Sequence, residues 1–402
     1  MKIMNILPEF NNRINAVSQA FGLNENAVRE AILRSYSFDE NVNDYRLKRV
    51  LEKADRGEQI TVAGLGGSIT EGASARSYTG GGNNAVAYTE MLGGESSWFN
   101  RTVQWFKDTF PAAEINGINA GIGATPSFLG TFRLEQMVLQ HKPDLVFVEF
   151  SVNDPSTFPN LLETEIFDAY ESVVRKCLDA GVAVVQIFMN DRDYNGLQRV
   201  HSVVSQHYQV PSISYHNGVY PERKLICDWS LLSPDEIHPN NAGHAFLATC
   251  ICNYLASVRG AAVQDKDAPI PENWLHKDTF YKVRAIYADQ LKDTAEGAIS
   301  YHTDTKGCSK WFGTLVSEGA GSVSTVVPKG AKRVWVQFHY NQGSFETDLG
   351  GMLSSCNTAP VGWPRPMWHR IYTGKPLEED TTLTIRSHAS GSAIIMGVLI
   401  AF

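Results

Sequence analysis

The chain has little of what would mark a secreted, membrane or nucleic-acid-binding protein. Only six cysteines are spread over 402 residues, too sparse and irregular for a disulfide framework, which predicts reduced thiols in a cytoplasmic setting. No uninterrupted run of about 18 apolar residues is present to span a bilayer. Lys and Arg number 35 against 43 Asp and Glu, a formal net charge of −8 with no basic block, so neither nucleic acid nor a membrane surface is expected as a partner. The start, Met1 to Glu9, has one early lysine and no apolar stretch of secretory-signal length, which again points to the cytoplasm. Cys250 and Cys252 with nearby His244 match no usual zinc spacing, and Ala245 to Leu255 reads as a buried helix. No metal and no organic cofactor are expected.

A chain of this length exceeds the size at which one core keeps growing, so two domains are the natural expectation. Residues 1–57 read as a helical extension, with apolar positions at helical spacing in Asn26 to Leu33 and Leu47 to Ala54. From residue 58 the pattern becomes alternating strands and helices. Expected strands are Ile60 to Leu65, Ala113 to Asn119, Asp144 to Phe150 and Val182 to Phe188. The helices between them cover Trp98 to Phe110, Phe128 to His141 and Phe167 to Ala180. Such alternation predicts an α/β three-layer domain around a parallel sheet, ending near residue 262 after a helix that follows His238. Residues 263–280 form a linker, signalled by the Ala, Asp and Pro content of Gly260 to Pro271. Residues 281–402 carry short strands, among them Val323 to Val327, Arg333 to Phe338, Thr381 to Ile385 and Ala393 to Ile400, separated by turn residues. They predict an antiparallel β-sandwich or jelly roll.

Two segments far apart carry chemistry. Gly66-Gly67-Ser68-Ile69-Thr70-Glu71-Gly72 places a serine on a glycine-flanked turn after an apolar strand, and Asp235-Glu236-Ile237-His238-Pro239 supplies a carboxylate and an imidazole. A serine hydroxyl becomes a useful nucleophile when a histidine takes its proton and a carboxylate fixes the histidine's tautomer. Ligands of parallel α/β sheets bind at the carboxyl ends of the strands, where Ser68, the stretch Asn119 to Thr125 and the stretch Ser151 to Asp154 all fall. Asp154 before Pro155 reads as structural, a carboxylate holding the loops of the site, and Glu71 as favoured by a helix start. His302, His339 and His388 have no motif around them and read as structural.

Taken in order, Gly66 to Gly72, Asn119-Ala120-Gly121-Ile122-Gly123-Ala124-Thr125, Ser151-Val152-Asn153-Asp154 and Asp235-x-x-His238 resemble the sequence blocks of the SGNH/GDSL hydrolase superfamily. The likeness spans roughly Ile60 to Leu255 and implies a flavodoxin-like sheet. It makes Ser68 the nucleophile, His238 the general base and Asp235 its orienting carboxylate. The oxyanion hole would combine the Ser68 N–H, the Asn153 amide and a backbone N–H from Ala124, or from Gly123 if the second block is shifted by one. Two-domain bacterial members, similar also in the region from Leu47 to Ser68, are often carbohydrate acetylesterases. The resemblance thus implies removal of O-acetyl groups from oligosaccharides of acetylated mannan or xylan. Tyr78, Trp363 and Trp368 are candidate substrate contacts, Trp363 to His369 forming an aromatic-rich loop. A short-chain lipid esterase or thioesterase, or an inert sugar-binding module, stays open as an alternative, as does assembly into a homo-oligomer.

Overall fold

The computed structural model describes residues 5–36, 42–75, 96–157, 161–303, 311–339, 344–357, 365–388 and 393–402. The chain divides into two compact units, the first drawn mainly from residues up to Lys277 and the second mainly from Asp278–Phe402.

The first unit opens with three helices, α1 (Asn11–Phe21), α2 (Glu25–Arg34) and α3 (Tyr45–Asp55). In α3 the buried residues are Leu47, Val50, Leu51 and Ala54, one apolar stripe at helical spacing. Alternating strands and helices follow: β1 (Ile60–Gly66), α4 (Ser68–Glu71), α5 (Trp98–Thr109), β2 (Ile115–Gly121), α6 (Ser127–Met137), β3 (Leu145–Glu149), α7 (Glu163–Asp179), β4 (Ala183–Phe188), α8 (Gln198–Tyr208), β5 (Ser212–Ser214), α9 (Tyr215–Val219) and α10 (Asn241–Gly260). The five strands form a parallel sheet in the order β2-β1-β3-β4-β5, the flavodoxin-like arrangement. Every residue of β3 and β4 is buried, as expected of strands covered on both faces. The N-terminal helices share the core of this sheet: Phe10, Val28, Leu51, Phe147 and Phe246 belong to one cluster of buried side chains. Tyr36 also donates to the Cys250 carbonyl at 2.7 Å.

Strand order reverses at β1, whose neighbours are β2 and β3. That switch point opens a crevice at the carboxyl ends of the strands. Strand β2 lies later than its sequence pattern suggests, at Ile115–Gly121 instead of residues 113–119, because its register pairs Gly121 with Gly66. A Cβ on Gly121 would stand 2.2 Å from the Glu71 nitrogen, so only glycine lets the strand run this far. Asp144 joins the strand entries, accepting from Thr61 N–H at 2.9 Å and pairing with Lys53 at 2.6 Å.

Residues 263–277 lie along the first unit. Glu171 accepts from the N–H groups of Leu275 at 2.8 Å and His276 at 3.2 Å, and the Arg175 guanidinium lies over the Trp274 ring.

The second unit contains β6 (Val283–Tyr287), α11 (Ala288–Leu291), β7 (Glu296–His302), β8 (Thr314–Val327), β9 (Arg333–His339), β10 (Ser344–Leu349), β11 (Met352–Asn357), β12 (Pro366–Thr373), β13 (Thr381–Ser387) and β14 (Ala393–Ala401). All its strand pairings are antiparallel. Strand β8 changes partner along its length, pairing with β14 through Leu315 to Ser317 and with β13 through Gly321 to Val327. One hydrogen-bonded network thereby folds around a core that includes Val323, Val334, Val336, Leu383 and Val398. The segment expected as an aromatic loop is, in its described part, strand β12. Trp368 pairs with Gln337 there and is only 8% exposed. Tyr78 and Trp363 lie outside the described residues.

Phe147, fully buried at the centre of the parallel sheet, meets Trp98 edge-on at 5.6 Å. Phe147→Ala is expected to destabilise the protein by about 3–5 kcal/mol, seen as a lower urea midpoint than that of the wild type.

Candidate active site

Ser68 follows the carboxyl end of β1 as the first residue of α4. Its turn is wedged into place by close contacts. A Cβ on Gly66 would lie 2.1 Å from Thr70 Oγ1, and one on Gly67 would lie 2.0 Å from Asn153 Oδ1. Glycine is therefore required on the strand side of the serine, and Asn153 packs directly against the turn.

The partner loop is held by its own side chains. The Ser233 hydroxyl donates to the His238 carbonyl at 2.6 Å and accepts from Asp235 N–H at 3.2 Å, while Trp229 Nε1 donates to the Asp235 carbonyl at 2.6 Å. Asn240 caps α10, accepting from Ala242 N–H at 2.9 Å and Gly243 N–H at 3.0 Å. So anchored, the loop brings His238 Nε2 to 2.8 Å from Ser68 Oγ and His238 Nδ1 to 2.8 Å from Asp235 Oδ2. The other oxygen of Asp235 accepts from the N–H groups of Ile237 and His238, both at 2.7 Å. Partial burial works against the Asp235 charge, but those two N–H groups and the His238 ring outweigh it and hold the carboxyl below its ordinary value. Hydroxyl, imidazole and ionised carboxylate in line can move a proton from Ser68 to His238 with Asp235 steadying the imidazolium.

Around them the remaining sequence candidates take distinct places. Gly123 N–H donates to Glu71 Oε2 at 2.9 Å, so Glu71 ties the second block to the Ser68 turn. The next residue, Ala124, has φ +56°, a left-handed backbone in which glycine is more usual. Asn153 lies in the turn after β3 and hydrogen-bonds through its N–H to the Phe150 carbonyl at 3.0 Å. Asp154 is fully buried. Its carboxylate accepts from Ser127 N–H at 2.7 Å, capping α6, and lies 2.9 Å from His201 Nε2, the loop-holding role its sequence context suggests.

His244 is occupied elsewhere, accepting at Nδ1 from Trp98 N–H at 3.2 Å and reaching the Ala73 carbonyl with Nε2 at 3.1 Å. Burial pushes the Cys250 thiol up to about 12 and the Cys252 thiol up to about 11, and no cluster able to hold a metal occurs among the described residues. Sequence reasoning passed over Ser233 and Trp229, because serine and tryptophan in a loop carry no signal of their own. It also passed over Glu149, read only as part of an apolar strand.

Residues 65–246 match the family model of the GDSL-like lipase/acylhydrolase family. Over these residues the chain carries a GDSL-like domain. The GDSL domain makes it a carboxylic ester hydrolase. Among solved structures, it is similar to a two-domain esterase (CEX) active on acetylated mannans, at 25% identity and a TM-score of 0.72 over 90% of this chain and 96% of the other. The same esterase co-crystallized with mannopentaose matches at 26% identity and a TM-score of 0.70, over 91% of this chain and 97% of that one. No curated protein sequence matches. No described helix is long and apolar enough to cross a membrane.

Glu149 gives the domain a measurable electrostatic signature. Burial and the nearby Asp154 charge outweigh its hydrogen bonds and raise its carboxyl to about 7. The folded state thus keeps a proton that the unfolded chain gives up near 4.5. Its contribution to stability is complete below that pH and is lost as pH rises through about 7. Such a shift corresponds to roughly 3 kcal/mol. The urea midpoint of the wild type is expected to fall between pH 5 and pH 8 by more than that of Glu149→Gln, the difference reporting this one group.

Proposed function

We propose that the chain is a serine-dependent carbohydrate acetylesterase that removes O-acetyl groups from oligosaccharides of acetylated mannan or xylan. The observation that carries the catalytic part is the chain of two 2.8 Å hydrogen bonds from Ser68 through His238 to Asp235. The substrate part is supported by the likeness of both units together to an esterase active on acetylated mannans.

In this reading Ser68 Oγ attacks the acetyl carbonyl carbon while His238 Nε2 takes its proton. Negative charge develops on the carbonyl oxygen, which the N–H groups of Ser68 and Ala124 and the Asn153 side-chain amide receive. Gly123 N–H is engaged by Glu71, which favours Ala124 over Gly123 as the donor from that loop. Each such donor is worth about 10²–10³ in turnover. Collapse of the tetrahedral intermediate breaks the bond to the sugar oxygen, and His238 returns its proton to that oxygen as the alcohol leaves. Water then adds to the acetyl-enzyme with His238 again as base, and acetate departs from Ser68. Asp235 stays ionised throughout, its carboxyl held low by the N–H groups that face it.

Acetate release from acetylated manno-, xylo- and gluco-oligosaccharides, measured beside a 4-nitrophenyl acetate-to-octanoate series, tests both parts. Release from the mannan or xylan set, preference for acetate over longer acyl chains and loss of activity in Ser68→Ala are expected. Fast octanoate hydrolysis with silent sugars would instead place the enzyme among acyl esterases of other substrates.

A further inference from the structure

The turn that presents Ser68 lacks a cap of its own. Helix α4 is four residues long, and its N-cap residue Gly67 makes no side-chain cap hydrogen bond. The first N–H groups of a helical turn need acceptors from outside the helix, which a Ser, Thr, Asp or Asn at the N-cap ordinarily supplies. Gly67 cannot carry such a side chain, because Asn153 fills the space a Cβ would take. The acceptor comes instead from another strand. Glu149, the last residue of β3, pairs in register with Gly66 and is fully buried. Its Oε2 accepts from Thr70 Oγ1 at 3.0 Å, and the backbone N–H groups of Gly67 and Thr70 lie close enough to favour its charged form.

We infer that Glu149 is a positioning residue for the nucleophile, a carboxyl supplied by β3 that caps the Gly67–Glu71 turn and so aims Ser68 at His238. The inference rests on Ser68 being the nucleophile. It joins the two halves of the site. The same β3 terminus leads into Asn153, so nucleophile and candidate oxyanion donor are registered against one strand end. Asp154 and Tyr170 are the titratable groups coupled to Glu149 from the following turn and from α7, and burial keeps the Tyr170 phenol protonated by raising it. No cation competes with the turn's donors for the carboxyl among these groups.

The test measures the rate at which a fluorophosphonate labels Ser68, together with kcat and KM on 4-nitrophenyl acetate, in Glu149→Ala, Glu149→Gln, Thr70→Val and Thr70→Ser. Loss of the cap in Glu149→Ala is expected to lower labelling rate and kcat by about 10- to 100-fold with KM little changed. Glu149→Gln is expected to recover most of the rate, since its amide oxygen accepts the same bonds. Should Glu149→Ala fail to fold, the Thr70 pair decides: Thr70→Val slowed and Thr70→Ser restored supports the cap. Glu149→Ala or Thr70→Val labelled as fast as wild type would overturn it, as would Glu149→Gln as slow as Glu149→Ala. Ser68→Ala separates the layers: labelling that survives in it overturns the nucleophile assignment, whereas labelling confined to Ser68 but indifferent to Glu149 and Thr70 overturns only the cap.

Discussion

The hydrogen bond between Ser68 and His238 joins residues 170 positions apart, and the rest of the first unit serves to make that 2.8 Å contact reproducible. Neither partner belongs to a long rigid element. Ser68 heads a four-residue helix, and His238 sits in an irregular loop. Each is fixed by what surrounds it. The serine turn is confined by glycines whose missing side chains are replaced by Thr70, Glu71 and Asn153. The histidine loop is closed by Ser233, Trp229 and the Asn240 cap on α10. Preorganisation of this kind lets a hydroxyl, an imidazole and a carboxylate act without rearranging during the reaction.

The parallel sheet explains why these fragments meet. Strands β1 and β3 are neighbours in register, with Gly66 opposite Glu149, so the turns that follow them emerge side by side at the switch point. Polar groups buried there are arranged in pairs. Glu71 takes Gly123 N–H, Asp154 takes Ser127 N–H and faces His201, and Glu149 takes the Thr70 hydroxyl. Burying carboxyl groups so close together is costly unless each is hydrogen-bonded or holds a proton. The raised value of Glu149 beside Asp154 is the visible cost.

What could be read from sequence divides along physical lines. The meeting of Ser68, Asp235 and His238 was legible because a glycine-flanked serine turn and a carboxylate-histidine pair are local patterns, and the alternation of apolar runs located all the long strands of the parallel sheet. The candidate oxyanion donor was less legible. Choosing between Gly123 and Ala124 depends on a tertiary hydrogen bond from Gly123 to Glu71 and on the φ of Ala124, neither of which spacing reveals. In the second unit Trp-Pro-Arg-Pro suggested a loop, yet Pro366 is the first residue of β12, a position where a missing N–H is tolerated. Strand β10 escaped notice because only Phe345, Thr347 and Leu349 turn inward, an alternation with too few apolar side chains to stand out. Strand β8 was recognised only in its second half, since Gly319 and Gly321 interrupt the first.

The measurement that bears most directly on the account is peptide mass spectrometry of enzyme quenched during turnover of an acetylated manno-oligosaccharide. An acetyl group on the peptide containing Ser68, absent when Ser68 is replaced by alanine, is the predicted result. Acetate released in full with no acetylated peptide, or with the acetyl group carried on a different residue, would contradict it.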